Sequence, residues 1–241
     1  MRFTEELLPA RMIRRYQRFL ADVRLPDGTE ITVHCPNSGS MMGCVEADGP
    51  VLLSVAANPK RKYRHTLEMV RVAGVWIGIN TSRTNALVRE ALVNGVIGEL
   101  QPAVAIRAEV KVSARSRLDF QIDHGDGCTT YLEVKNCTLA EAGVAMFPDA
   151  VTVRGTRHLE ELLALRAAGH GAAVLFCVQR GDARCFAPAA RIDPSYAAAL
   201  HRAAAGGVKI LAYRAAPTPR EIILDTPLPV QSSSELLNSS T

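Results

Sequence analysis

The chain has 241 residues, of which 48% are hydrophobic and 22% charged, the balance of a globular protein with a well-buried core. No apolar run reaches the ~18 residues that a membrane-spanning helix needs. The first twenty residues are interrupted by charges and lack the apolar segment of a secretory signal, so we expect a cytoplasmic protein without a membrane partner. The net charge of +4 permits nucleic-acid binding but is too small to predict it.

The sequence lacks the motifs of several functional classes. The six cysteines form no Cys-x-x-Cys pair and no Cys/His cluster with zinc-finger spacing, so we expect reduced thiols. There is no Gly-x-Ser-x-Gly element for a serine nucleophile. Neither a Gly-x-Gly-x-x-Gly nor a Walker A sequence occurs, which argues against a nucleotide cofactor.

The first ~80 residues predict short strands separated by turns. The segments "RFLADVRL" and "TEITVHC" alternate in polarity and flank Pro26-Asp27-Gly28, a hairpin turn. "GPVLLSVA" and "HTLEMVRVAGVWIGIN" predict further strands. Four or five short strands with no helix indicate a small closed β-barrel. An oligonucleotide-binding (OB) barrel has this size, although periodicity alone does not select it over other barrels.

Two basic clusters fall in this segment. They favour contact with nucleic-acid phosphates, although either cluster alone is equally consistent with a solvated surface. Their members are Arg11, Arg14, Arg15, Arg18 and Arg24 in the first cluster, and Lys60, Arg61, Lys62 and Arg64 around Tyr63 in the second.

After the barrel the pattern changes to that of an α/β domain. Helical spacing begins at "NTSRTNALVREALVNGVIGEL", with Thr84 or Asn85 as the candidate N-cap. Three strands, a loop, a helix, two strands, a helix, a strand and a last extended piece follow, which predicts a mixed sheet flanked by helices. We therefore expect an α+β protein of two domains, residues 1–82 and 83–230, with a disordered polar tail at 231–241.

The strands "SRLDFQID" and "TYLEVKN" are separated by the turn signal Asp126-Gly127. A hairpin centred on Asp126 places Asp119 directly opposite Glu133, with Lys135 next along the same face. Two facing carboxylates repel each other, and either Lys135 or a divalent cation compensates. Mg²⁺ or Mn²⁺ needs only one or two protein carboxylates, and a nearby lysine would assist attack by water. The alternative is a solvent-facing ion-pair network.

Asp119, Glu133 and Lys135 resemble the PD-(D/E)xK nuclease motif, with Leu118 in place of the proline. In that superfamily a glutamate on the first helix often joins the metal site, and Glu90 is the candidate here. The metal ligands implied are therefore Asp119, Glu133 and Glu90, with all three and Lys135 forming the catalytic set.

A second resemblance covers nearly the whole chain. Five blocks in order are similar to the sugar fermentation stimulation protein A (SfsA) family: "HCPNSGSM", "SRLDF", "LEVKNCTL", "FPDAVTVRGTRHL" and "GVKILAY". The resemblance implies an N-terminal OB barrel, a C-terminal restriction-endonuclease-like domain, DNA binding and a regulatory role in sugar metabolism.

Further candidates for nucleic-acid contact lie near the carboxylates. Arg154 and His158 are four residues apart and share a helix face, while Arg117 shares the face of Asp119. Gln179, which ends a buried strand, is a weaker candidate. We therefore expect a DNA-binding protein with Mg²⁺-dependent phosphodiester hydrolysis. The alternatives are a non-cleaving DNA-binding regulator of sugar (maltose-type) metabolism genes and an inert structural protein; strandedness and oligomeric state stay open.

Overall fold

The structure is a computed structural model that describes residues 1–113 and 116–231. Its N-terminal part is a β-barrel. The barrel strands are β1 (Leu8–Tyr16), β2 (Leu20–Arg24), β3 (Glu30–His34), β4 (Pro50–Val55), β5 (His65–Val72) and β6 (Val75–Gly78).

The six strands run in the order β3-β2-β1-β4-β5-β6, and a bridge between His34 of β3 and Thr66 of β5 closes the sheet. Buried side chains such as Met12, Leu53 and Leu67 fill the interior. The predicted closed OB-type barrel is confirmed, including the β2–β3 hairpin around Asp27.

The predicted strand "RFLADVRL" is β2, whereas β1, which precedes it, was not predicted. β1 ends at Tyr16, and Gln17 and Arg18 form a turn with positive φ before β2 begins at Leu20. Outward arginines dominate the composition of β1 and concealed its short buried side, which includes Ala10 and Met12.

The C-terminal part is built on a six-stranded mixed sheet in the order β15-β14-β12-β9-β8-β7, in which β12 runs parallel to β9 and β14. The elements that build this part are β7 (Ala105–Lys111), β8 (Arg117–Asp123), β9 (Thr129–Cys137), β12 (Gly171–Val178), β14 (Lys209–Pro217) and β15 (Ile222–Pro227), with helices α1 (Thr84–Val93), α2 (Val153–Ala167) and α3 (Pro194–Ala205).

The helices cover both faces of this sheet. Leu87 and Val88 of α1 pack in one buried cluster with Phe120, whereas Leu159 of α2 and Leu200 of α3 pack in another. The predicted mixed sheet flanked by helices is confirmed.

Two strands of a small additional sheet lie where a loop was predicted, and the third is a predicted strand. Strands β10 (Leu139–Glu141) and β11 (Val144–Phe147) form a hairpin, and β13 (Cys185–Pro188) pairs in parallel with β11. Strands β10 and β11 are only three and four residues long, too short for a period-2 pattern to stand out.

The start of α1 also differs from the prediction. Neither Thr84 nor Asn85 caps the helix, because a short 3-10 helix, Thr81–Arg83, precedes it. Asn80 caps that turn: its Oδ1 accepts from the N–H of Ser82 at 3.1 Å.

All six cysteines are free thiols. Within the described part of the chain no helix is long and apolar enough to cross a membrane. Of the predicted disordered tail, residues 232–241 lie outside the described residues, while the N–H of Gln231 donates to the carbonyl of Phe186.

Candidate functional site

Two buried carboxylates face each other across the β8–β9 ladder. Phe120 pairs with Leu132 and Ile122 with Thr130, and the same register places Asp119 opposite Glu133. The predicted hairpin register is therefore confirmed. The N–H of Val134 donates to Asp119 Oδ2 at 2.7 Å, which holds the Asp119 carboxylate against β9.

Glu133 is the more buried of the two acids, at 4% exposure. Its Oε1 accepts from Lys135 Nζ at 2.6 Å and from His158 Nδ1. The other ring nitrogen of His158 accepts from Arg154 Nε at 3.4 Å, which fixes Nδ1 as the protonated nitrogen. Glu133 Oε2 is buried and has no hydrogen-bond partner among the described residues.

The two acids differ in proton affinity. Burial and the charge of Glu133 raise the pKa of Asp119 to about 6, against the opposing bonds from Val134 and Asn85. Burial also raises the pKa of Glu133, but the bond from His158 and the charge of Lys135 outweigh it and lower that pKa overall. Near neutral pH both carboxyl groups are therefore mostly ionised, and two negative charges lie close together in a buried site.

An open groove lies over this pair. It has a volume of about 640 Å³, and both carboxylates border it. Four basic side chains also line it: Lys111, Arg117, Arg154 and Arg157. Glu109 is a third acid of the lining, beside Arg117. A groove with four cations attracts a polyanion but repels it at the buried carboxylate pair, where a cation would offset the repulsion.

The carboxylate pair fits a hard divalent cation. Two carboxylates are enough for Mg²⁺, which keeps several water ligands, and the unpartnered Glu133 Oε2 is an oxygen with a ligand's chemistry. No group of three or more His, Cys, Asp or Glu arranged to hold a metal occurs among residues 1–113 and 116–231. A cation here would therefore take two protein ligands, Asp119 and Glu133.

The structure does not bring Glu90 to this pair, so the predicted third ligand is corrected. The Glu90 carboxylate binds the amino group of Met1 at 2.8 Å and is half exposed. On the same helix Asn85 faces the site instead, and its Nδ2 donates to Asp119 Oδ1 at 2.8 Å. The two positions are five residues apart, which turns Glu90 about 140° away from Asn85 around the helix.

Of the basic residues predicted near the acids, Arg117 and Arg154 line the groove as expected. Arg117 is exposed and lies 3.6 Å from Glu109. His158 was predicted to contact nucleic acid, but it is buried at 2% exposure. It borders the groove, but its Nδ1 is bonded to Glu133, so its ring orients that carboxylate.

The barrel cations divide into two groups. Arg15 is half-buried and its guanidinium donates to the carbonyls of Arg18, Asn37, Gly39 and Ser40, so its predicted role in phosphate binding is corrected to a structural one. The second cluster lies in the loop between β4 and β5, and its four cations are exposed: Lys60, Arg61, Lys62 and Arg64.

The barrel loop that contains "CPNSGSM" is joined to the α/β domain. Ser40 Oγ donates to Asp149 Oδ2 at 3.0 Å, and the N–H of Met41 donates to the same oxygen at 3.0 Å. A Cβ on Gly39 would lie 2.7 Å from Asp149 Oδ2. The loop is thus an interdomain contact as well as a turn.

Sequence reasoning missed several residues of the site. Asn85 was considered only as a cap, and Lys111 only as part of a strand. The β7–β8 pairing places Lys111 beside Arg117, because the two residues are partners in that ladder. Gln179, a weaker prediction, is fully buried, and its Nε2 donates to Thr84 Oγ1 and Asn136 Oδ1.

The fold and the site together define a two-domain protein: an OB barrel followed by an α/β domain with a buried carboxylate pair beneath a basic groove. The chain belongs to the sugar fermentation stimulation protein family. Residues 13–79 match the family's N-terminal OB domain and residues 82–221 match its "Sugar fermentation stimulation protein RE domain". The predicted family is confirmed.

Close relatives carry the same description. Sugar fermentation stimulation protein homologs of Desulfotalea psychrophila and Geobacter sulfurreducens are 53% and 51% identical over 89% and 91% of this chain, and over 91% and 94% of their own. A solved structure of Pyrococcus furiosus SfsA in complex with Ca²⁺ is similar with a TM-score of 0.87 at 28% identity. That match covers 96% of this chain and 98% of the other.

Proposed function

We propose that this protein binds DNA and hydrolyses its phosphodiester bonds with a divalent cation, Mg²⁺ or Mn²⁺, held by Asp119 and Glu133. The observation that carries the proposal is the facing pair of buried carboxylates, one with an unpartnered oxygen, under a groove lined by four cations. The P. furiosus relative, described in complex with Ca²⁺, supports a divalent cation in this family.

The residues of the site have separate tasks in this proposal. Cations of the groove, Arg117 and Arg154 among them, bind the phosphates of the strand. A divalent cation supplies Lewis-acid activation of the phosphodiester and of the attacking water. His158 orients Glu133 by its hydrogen bond, as a partner of a metal ligand commonly does. Lys135, 2.6 Å from Glu133 Oε1, stabilises the negative charge that develops at the reacting phosphate.

The test is a cleavage assay on labelled single- and double-stranded DNA and RNA with Mg²⁺ or Mn²⁺. Wild type is compared with Lys135→Ala and with Lys209→Ala, a control whose exposed ammonium donates to the carbonyl of Glu99. We expect Lys135→Ala to lose about 100-fold or more in rate and Lys209→Ala to cleave as wild type does. Equal cleavage by Lys135→Ala would point to a contaminating nuclease and contradict the proposal.

A second candidate is a DNA-binding regulator of sugar metabolism that does not cleave. The relatives' description as sugar fermentation stimulation protein homologs supports its link to sugar metabolism. The cations of the groove and of the 60–64 loop would serve DNA binding with or without hydrolysis. Salt-dependent binding of DNA without cleavage under any divalent metal would select this candidate.

A further inference from the structure

A second cavity, which we call the cleft, lies between the barrel and the α/β domain. It has a volume of about 390 Å³. Barrel residues 37–39 form part of one wall, and the end of β9 with residues 146–152 forms the other. Cavities of ~300–1,000 Å³ hold small ligands. The cleft is therefore large enough for a nucleoside-sized group and too small for a double helix.

The cleft and the groove share two elements of structure. On β9, Glu133 borders the groove and Asn136 borders the cleft. The two residues are three positions apart, or about 10 Å along β9, and Cys137, which shares the sheet face of Glu133, also borders the cleft. At the start of α2, Thr152 borders the cleft and Arg154 the groove. A nucleic-acid strand with one phosphate over the carboxylate pair would therefore bring its adjacent nucleotide to the cleft.

The chemistry of the two cavities differs. The groove has four cations, whereas Arg18 is the one basic residue among the described residues that line the cleft. The cleft instead offers apolar surface from Leu139, Met146 and Phe147. This lining suits a base and a sugar better than a phosphate.

Neutral hydrogen-bonding groups also line the cleft, beside the Asp149 carboxylate, which accepts from Ser40 and Met41. Thr84 Oγ1 and Gln179 Nε2 both donate to Asn136 Oδ1, so the Nδ2 of that amide is left to donate elsewhere. The hydroxyl groups of Ser38 and Thr138 belong to the same lining. An amide and two hydroxyls are the groups that read the edge of an unpaired base.

We propose that the cleft binds the unpaired nucleotide next to the phosphodiester held in the groove, so that the substrate of this protein is a single strand at that point. The inference rests on the proposed function of the groove. An unpaired nucleoside-sized group fits a cavity of about 390 Å³, and a base pair with both of its sugars would not fit wholly within it.

Photocross-linking tests the placement of the strand. Single-stranded oligonucleotides that carry one 5-iodouracil at successive positions are irradiated with the protein and Ca²⁺, beside a fully paired hairpin of the same sequence. We expect cross-linked peptides that contain residues 136–138 or 146–152, from the single strand alone. Cross-links confined to the 56–64 loop, or equal yields from the hairpin, would overturn the inference.

A variant that fills the cleft gives an independent readout. Ser38 is exposed at the cleft, so Ser38→Trp blocks it without burying the new ring in the core. The control is Ser195→Trp, at an exposed position of α3 outside the described cleft lining. We expect Ser38→Trp to bind single strands at least tenfold more weakly and the control to bind as wild type does. Unchanged binding by Ser38→Trp would overturn the inference.

The two proposals fail in distinguishable ways. Cleavage of the paired hairpin at the single-strand rate, unaffected by Ser38→Trp, would overturn the cleft and leave the metal-dependent cleavage intact. Cross-linking in the cleft without cleavage under any metal would support the cleft and contradict hydrolysis.

Discussion

Asp119 lies across the β8–β9 ladder from Glu133, and burial together with that second negative charge raises the pKa of Asp119 to about 6. The arrangement stores electrostatic repulsion in the metal-free protein. Lys135 offsets part of this repulsion, and the divalent cation of the proposed function would relieve the rest.

The stability of the metal-free protein should depend on this carboxyl. Between the ordinary aspartate pKa and about 6, the folded state holds a proton that the unfolded state has released. The free energy of unfolding therefore falls as pH rises through that range, by on the order of 3 kcal/mol over the whole range and about 2 kcal/mol between pH 4.5 and 7.5. In Asp119→Asn this decrease should be absent. Urea unfolding in EDTA at pH 4.5 and 7.5 measures this change in unfolding free energy. An equal change in wild type and in Asp119→Asn would contradict the assignment to Asp119.

The interdomain contact at Gly39 should tolerate no side chain. In Gly39→Ala the new Cβ would lie 2.7 Å from Asp149 Oδ2, which also accepts from Met41. We expect a loss of about 1–3 kcal/mol, because the carboxylate must move and leave its donors. Gly98→Ala is the matched control, since nothing lies within 4 Å of the added Cβ. Thermal unfolding of both variants is the measurement, and an unaffected Gly39→Ala would rule out this close contact.

A buried ion pair near the domain junction should be costly to break. Glu68 is 1% exposed, and Arg83 donates to both of its oxygens at 2.6 Å. In Arg83→Met the carboxylate stays buried without its cation, so we expect a loss of about 3 kcal/mol or more in chemical unfolding. Arg2→Met, which breaks the exposed pair with Glu221, should change stability little. Similar losses in both variants would show that burial of Glu68 does not matter.

Removing the hydroxyl of Tyr196 and that of Tyr213 should have different effects on folding stability. Tyr196 is fully buried, and its hydroxyl has no partner among the described residues. Tyr196→Phe should leave stability unchanged or raise it by about 1 kcal/mol. Tyr213 donates to Glu99 Oε2 at 2.6 Å, so Tyr213→Phe should lose about 1 kcal/mol. A clear loss in Tyr196→Phe would show that a buried water or a moving group satisfies that hydroxyl.

The central pair of the site was predictable because it depends on local information. The turn signal at Asp126 sets the register, and period 2 then decides which side chains face Asp119. Nothing beyond one hairpin was needed, and the structure has that register.

Residues brought by other elements were not predictable in the same way. A helix shows its apolar face in its sequence but not its rotation over a sheet, so Glu90 was chosen over Asn85 although Asn85 reaches Asp119. Arg15 was counted as a surface cation because the four carbonyls that it binds come mostly from a distant loop. Burial of His158 likewise depends on the packing of α2 on β9.

The most direct test of the account is the binding of Mn²⁺ in an isothermal titration near neutral pH, with wild type beside Asp119→Asn and Glu90→Gln. Glu90 is the control because it lies on α1 but pairs with the amino group of Met1. The account predicts one site in wild type, binding at least tenfold weaker in Asp119→Asn, and unchanged binding in Glu90→Gln. Wild-type affinity in Asp119→Asn, or a loss confined to Glu90→Gln, would contradict a cation held by Asp119 and Glu133.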